Sequence, residues 1–224
     1  MISQKYKTIF LHPPKTGGTS VTLAFEEEDP KGGVGKHLPL SFVKNRAIKE
    51  GKLKMYQDFF KFTFVRNPYA VLYSFYRYHK RLEDSYLKEV HDERLNENAR
   101  GRQSIYNMAA FPNFEDFVLR IGEAGGKGIA KDCAIDQCIF HLEAIKQKKY
   151  AYIGDEMELD FIGRFENIQK DFELVSKIVG LKNKLPHKNY SGNTAPYWKY
   201  YTYESREVAE NFFKEDLETF NYSF

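Results

Sequence analysis

The residues best placed to do chemistry in this 224-residue chain lie close to its start, in FLHPPKTGGTS over positions 10–20. An apolar run, a turn with two glycines and a helix-prone stretch follow one another. A helix beginning there aims unbonded backbone N–H groups and the positive end of its dipole at whatever lies in front of it. Gly17 and Gly18 let the backbone approach a ligand closely. Lys15 adds a mobile positive charge, and Thr16, Thr19 and Ser20 bring hydroxyl donors. The combination predicts a site for a phosphorylated ligand. It is not the GxxxxGK[ST] loop, because Lys15 precedes the glycines instead of following them. The expectation is therefore anion binding without an obligatory metal.

A second cluster, FTFVRNPYAVLYSFYRYHK, covers 62–80. Its apolar half reads as a strand ending at Arg66, and Pro68 suits the first turn of the following helix. Ser74 stands eight residues after Arg66, about two turns into that helix. An Arg at a strand end with such a Ser can grip a second phosphate; a surface salt bridge is the plainer use of Arg66.

The elements that must hold these residues read as alternating strands and helices. Strands are expected at 7–12, 61–65, 150–153 and 159–163, the last two around a polar turn at 154–158. Helices are expected at 19–27, 69–81, 113–121 (capped by Asn113), 133–147, 167–179 (ended by Gly180) and 203–220. The strand patterns are apolar runs, not alternations, which favours an α/β fold with a buried, mostly parallel sheet. Segments 29–35 and 185–197 read as loops, and 83–103 as a polar helical excursion or a mobile insert. The Lys-rich stretch 44–54 reads as a solvated loop. No repeat or linker divides the chain, so one domain over 1–224 is expected, with 83–147 as a helical insert on the acceptor side.

Composition narrows the classes. With 42% hydrophobic and 29% charged residues the chain can build a core. A net charge of +3 is too mild to argue for nucleic acid, although 1–80 is clearly basic and the remainder acidic. Cys133 and Cys138 do not form a zinc pattern. There is no transmembrane run and no signal-peptide pattern, so a cytoplasmic protein is expected.

The two motifs together resemble those of sulfotransferases that use 3′-phosphoadenosine-5′-phosphosulfate (PAPS). HPPKTGGTS is similar to their 5′-phosphosulfate loop, with Pro14 where the family often has another apolar residue. VRNPYAVLYSFY is similar to their 3′-phosphate segment. DFIGRFENIQKDFE and the final DLETFNYSF resemble stretches of the carbohydrate branch related to heparan sulfate 2-O- and 6-O-sulfotransferases. The resemblance implies a P-loop-kinase-like three-layer fold, a central mostly parallel sheet flanked by helices. It implies transfer of a sulfuryl group from PAPS to a hydroxyl or amine, with a carbohydrate as first choice of acceptor. The product would be 3′-phosphoadenosine-5′-phosphate, and no metal would be required.

Carried onto this sequence, Lys15 contacts the phosphosulfate bridge. Pro14 and the run Thr16, Gly17, Gly18, Thr19 and Ser20 hold the 5′-phosphate, and Arg66 and Ser74 hold the 3′-phosphate. In-line transfer needs charge stabilisation at the leaving oxygen, from Lys15 and the loop amides, and a base for the acceptor hydroxyl. His37, in GKHLPLSF, corresponds to the base, with Glu28 and Asp29 as substitutes; His12 reads as structural. Arg164 is a further donor-side candidate, or else an ion-pair partner of Glu166 or Asp171. Lys188, Ser191 and Lys199 lie in the loop expected to close over the 3′-phosphate, where Tyr197 and Trp198 could stack on a ring. Tyr86, Arg94, Arg100, Arg102 and Tyr106 could wall an acceptor cleft. Two other classes stay open: a P-loop nucleotide or small-molecule kinase, and a non-catalytic phosphonucleotide- or glycan-binding module.

Overall fold

The computed structural model describes residues 1–27, 29, 37–91, 111–123, 142–186 and 195–224. These form two compact units, Met1–Asn67 with Lys146–Thr194, and Pro68–Ile145 with Ala195–Phe224.

The first unit is built on a four-stranded sheet. In chain order its elements are β1 (Ile2–Ser3), β2 (Thr8–Leu11), α1 (Gly18–Glu26), α2 (Leu40–Lys49), α3 (Leu53–Asp58) and β3 (Phe60–Val65). The second stretch of chain adds β4 (Tyr152–Ile153), β5 (Glu156–Met157), β6 (Phe161–Arg164) and, numbered in chain order, α6 (Ile168–Val179). The sheet order is β1-β2-β3-β6, with β2, β3 and β6 parallel and β1 antiparallel at the edge.

Alternation along the strands divides the two faces. Phe10, Phe62 and Phe64 pack with Val21, Ala24 and Phe25 of α1 and with Phe172 and Val175 of α6. On the other face Ile9 meets Val43 and Ala47 of α2 and Tyr56 of α3 around a cavity of about 210 Å³. Lys61 is buried there. Its ammonium donates to the carbonyls of Phe59 (3.0 Å) and Tyr56 (3.3 Å), which offsets its desolvation. The result is a mostly parallel sheet flanked by helices, as the sequence predicts.

Three local expectations change. The Lys-rich stretch 44–54 is the end of α2 and the start of α3 with a three-residue connection, not one loop. Leu40, Val43 and Ala47 share one buried helix face, and its charges form the solvated side. The expected turn at 154–158 contains β5, which pairs with β4 across Gly154 (φ 62°), so β4 belongs to a separate hairpin and not to the central sheet. The Arg164 end of β6 lies beside Val65 in the main ladder.

The second unit is helical: α4 (Pro68–His91), α5 (Phe114–Glu123), α7 (Tyr203–Phe212) and α8 (Lys214–Phe220). Helix α4 runs ten residues past its expected end at 81, into the polar excursion. Tyr69, Leu72, Phe75 and Tyr76 pack with Phe114, Phe117 and Val118 of α5 and with Ala209 and Phe213. Asn113 caps α5 as predicted, its side-chain carbonyl accepting from the Asp116 N–H at 2.9 Å. The last helix is two helices. Phe213, buried in the core, breaks it with φ −104° and ψ 15°.

Candidate active site

Strand β2 delivers His12 to the carboxyl edge of the sheet, and the chain turns through Pro13–Gly17 into α1. The turn is held from within. Thr16 is wholly buried, and its hydroxyl donates to the Pro13 carbonyl at 2.9 Å. What Thr16 can offer an anion is therefore its backbone amide. Lys15 adopts φ 67° and Gly17 φ 83°, so two left-handed residues reverse the chain. For Lys15 that conformation costs about 1–2 kcal/mol. The N-cap Gly17 makes no side-chain cap bond, and the first turn of α1 holds no acidic residue of its own to oppose an incoming anion.

The two glycines have a packing reason the sequence hides. A Cβ on Gly18 would lie within 2.6 Å of three atoms of the His12 ring. One on Gly17 would lie 2.7 Å from the Ile168 side chain. Both are required by the protein interior, whatever they also permit on the ligand side.

Strand β3 delivers Arg66 to the same edge, because β2 and β3 run parallel. The Arg66 guanidinium donates to the Lys15 carbonyl at 3.1 Å and lies 4.2 Å from the Phe165 ring centroid. The Asn67 N–H donates to the Glu166 carboxylate at 2.8 Å. The Arg164 backbone N–H donates to Asp171 at 2.7 Å. The two carboxylates considered as Arg164 partners are thus engaged by backbone amides.

His37, beyond α1 in the chain, joins this group through His12. Its Nδ1 is 2.9 Å from the His12 carbonyl, and the two imidazoles meet edge to face with centroids 4.7 Å apart. A carbonyl accepts only, so Nδ1 carries the hydrogen and Nε2 is the basic nitrogen when the ring is neutral. The Tyr150 hydroxyl donates to the His37 carbonyl at 3.3 Å, and His37 itself is exposed with φ 65°. His12 is buried, stacked on Phe10.

The family model described as the sulfotransferase family matches residues 1–223. The chain belongs to the sulfotransferase family. It is an enzyme, and a kinase reading is set aside. No curated protein and no solved structure matches it significantly.

The other sequence-predicted residues of this sulfotransferase distribute as follows. Pro14, Thr19 and Ser20 stand in or beside the turn, Ser20 buried. Ser74 is half-buried on α4, in the second unit. Asp29 is removed from consideration as a base. It follows the far end of α1 and accepts from the Ser3 hydroxyl at 2.6 Å, a nine-residue helix away from the turn. Lys199 and Trp198 are exposed in a short 3₁₀ turn, and Tyr197 packs edge-on to Tyr201 and Phe224. Lys188, Ser191, Glu28, Arg94, Arg100, Arg102, Tyr106, both cysteines and the 133–141 part of the expected helix lie outside the described residues, as does the Tyr86 side chain. Among the described residues no cluster of three metal-ligating side chains occurs, and no helix is long and apolar enough to cross a membrane. Sequence reading missed Gln147 and Tyr150 as site residues, since each bonds to backbone far along the chain and carries no short motif, and it considered Glu166 only as a partner of Arg164.

Proposed function

We propose that this sulfotransferase binds PAPS across the Lys15 turn and Arg66 and passes its sulfuryl group to a carbohydrate hydroxyl, working as one domain over 1–224. The observation that carries the reading is the 3.1 Å bond from Arg66 to the Lys15 carbonyl. Two cationic motifs 51 residues apart converge on one sheet edge, a fit for a ligand with two separated anionic groups. When bound, PAPS supplies the activated sulfuryl group, and the chain supplies charge stabilisation and a base.

The Lys15 ammonium and the N–H groups of Gly17, Gly18 and Thr19 stabilise negative charge growing on the leaving phosphate oxygen, the Ser20 N–H being held by the Gly17 carbonyl at 3.0 Å. Arg66 takes the 3′-phosphate; for Ser74 in that role the support is the motif resemblance. His37 takes the acceptor proton at Nε2 while the His12 carbonyl fixes its Nδ1–H. The acceptor oxygen gains the sulfuryl group, the bridge to the 5′-phosphate breaks, and 3′-phosphoadenosine-5′-phosphate leaves. Lys15 and Arg66 provide fixed positive charge, so we expect turnover without a divalent metal. The carbohydrate assignment rests on the resemblance of 160–173 and 216–224.

The test is calorimetric titration with 3′-phosphoadenosine-5′-phosphate, with ADP as control and EDTA present, on wild type and Arg66→Ala. Binding near micromolar (about −8 kcal/mol), selective for the 3′-phosphate and lost in Arg66→Ala, is expected. Equal binding of ADP would overturn the donor assignment. A sulfation screen of oligosaccharides against phenols and simple alcohols then tests the acceptor.

A further inference from the structure

Arg66 sits one residue beyond the β3–β6 ladder, whose last pair is Val65 with Arg164. Its N–H and C=O have run out of strand partners at a place where backbone groups must be paired. A single side chain pairs both. The Arg66 N–H donates to Gln147 Oε1 at 2.8 Å, and Gln147 Nε2–H donates back to the Arg66 carbonyl at 2.8 Å. A primary amide presents a donor and an acceptor side by side, so it extends the sheet by one residue in place of a strand.

Gln147 is wholly buried, at the head of the 3₁₀ turn Lys148–Tyr150, whose Tyr150 N–H bonds its carbonyl at 2.9 Å. The next link is closed as well: Asn67 N–H goes to Glu166, and Pro68 has no N–H to place. From this clamped backbone Arg66 extends its guanidinium over Phe165 and toward Lys15.

We infer that Gln147 is a positioning residue for donor specificity: its amide fixes Arg66 so that the enzyme distinguishes a 3′-phosphorylated nucleotide from one lacking that group. The inference rests on the reading that Arg66 takes the 3′-phosphate. No other uncharged side chain of this length matches both backbone groups. Methionine at 147 fills the space but leaves donor and acceptor unpaired. Glutamate keeps the acceptor, but sets an oxygen against the Arg66 carbonyl and a charge beside the guanidinium.

The experiment titrates the full chain with 3′-phosphoadenosine-5′-phosphate and with adenosine 5′-phosphate, and reads the ratio of the two affinities. Wild type, Arg66→Ala, Gln147→Met, Gln147→Glu and the double variant Arg66→Ala/Gln147→Met are compared, each checked by thermal melting. The expected result is a ratio reduced about ten-fold or more in both Gln147 variants, with adenosine 5′-phosphate binding within about two-fold of wild type. The double variant should discriminate no worse than Arg66→Ala alone. A wild-type ratio in either folded Gln147 variant, or an equal loss for both nucleotides, overturns the inference. If Arg66→Ala itself keeps the wild-type ratio, the Arg66 reading fails instead. Should Gln147→Met not fold, Gln147→Glu, which retains one of the two bonds, decides the matter.

Discussion

Adding one methyl group at Gly18 should disable the donor turn. A Cβ there falls within 2.6 Å of Cγ, Cδ2 and Nε2 of His12, a separation real Cβ atoms do not adopt. His12 cannot simply swing away, being 6% exposed, stacked on Phe10 and edge-on to His37. Overpacking of this kind costs about 1–3 kcal/mol. For a chain of this size that lowers Tm by about 2–12 °C, at about 2–4 °C per kcal/mol. The displaced backbone carries the Pro13 carbonyl that holds Thr16 and the His12 carbonyl that holds His37. Affinity for 3′-phosphoadenosine-5′-phosphate should therefore fall about ten-fold or more, since 1.4 kcal/mol corresponds to ten-fold. Gly51→Ala is the control. Gly51 also has positive φ (67°) but nothing within 4 Å of a new Cβ, so it should lose about 1–2 kcal/mol of stability and no donor affinity. Differential scanning fluorimetry and calorimetric titration read the two effects. His12→Ala combined with Gly18→Ala should recover part of the loss, with a coupling of about 1 kcal/mol or more. Wild-type affinity in Gly18→Ala, or strict additivity in the pair, would refute the clash as the reason for this glycine.

Four further outcomes are expected. His37→Ala should lower kcat about 10²–10⁴-fold in a sulfation assay while leaving 3′-phosphoadenosine-5′-phosphate binding unchanged in calorimetry. Thr16→Val strands the Pro13 carbonyl in the interior and should cost about 1–3 kcal/mol in urea denaturation. Tyr150→Phe removes the bond to the His37 carbonyl and should reduce kcat with little change in donor affinity. Glu158 fixes an acid-side dependence: burial alone would raise its pKa, but hydrogen bonds from Lys44 and Tyr56 outweigh it and hold the carboxyl below its ordinary value. Its contribution to stability is present above about pH 4.3, the unfolded value, and is lost as pH falls through the lower folded value. Glu158→Gln should accordingly flatten Tm against pH on the acid side of that unfolded value.

The elements that present the candidate-site residues were legible because each is local. β2 and β3 are apolar runs, α1 follows a glycine turn, and Asn167 and Gly180 bracket α6. The helices α2 and α3 were not. Their apolar positions are interleaved with Lys44, Arg46, Lys49, Lys52 and Lys54, which dominated the pattern. Charge density describes one face of a helix, and the buried face supplied by Leu40, Val43 and Ala47 becomes decisive only once Ile9 and Tyr56 are there to meet it. The break at Phe213 is of the same kind, since nothing local stops a helix at phenylalanine and the tertiary core claims its side chain.

The site divides along the same line. Lys15, Gly17, Gly18 and Arg66 form short motifs because each must stand at a strand end or helix start. The groups that aim them do not, because a backbone amide or carbonyl can be satisfied by any side chain that reaches it. Gln147 reaches Arg66 from 81 residues away, Glu166 reaches Asn67 from 99, and Tyr150 reaches His37 from 113. Two of these, Gln147 and Tyr150, belong to one four-residue stretch, which therefore ties the donor-side arginine to the candidate base.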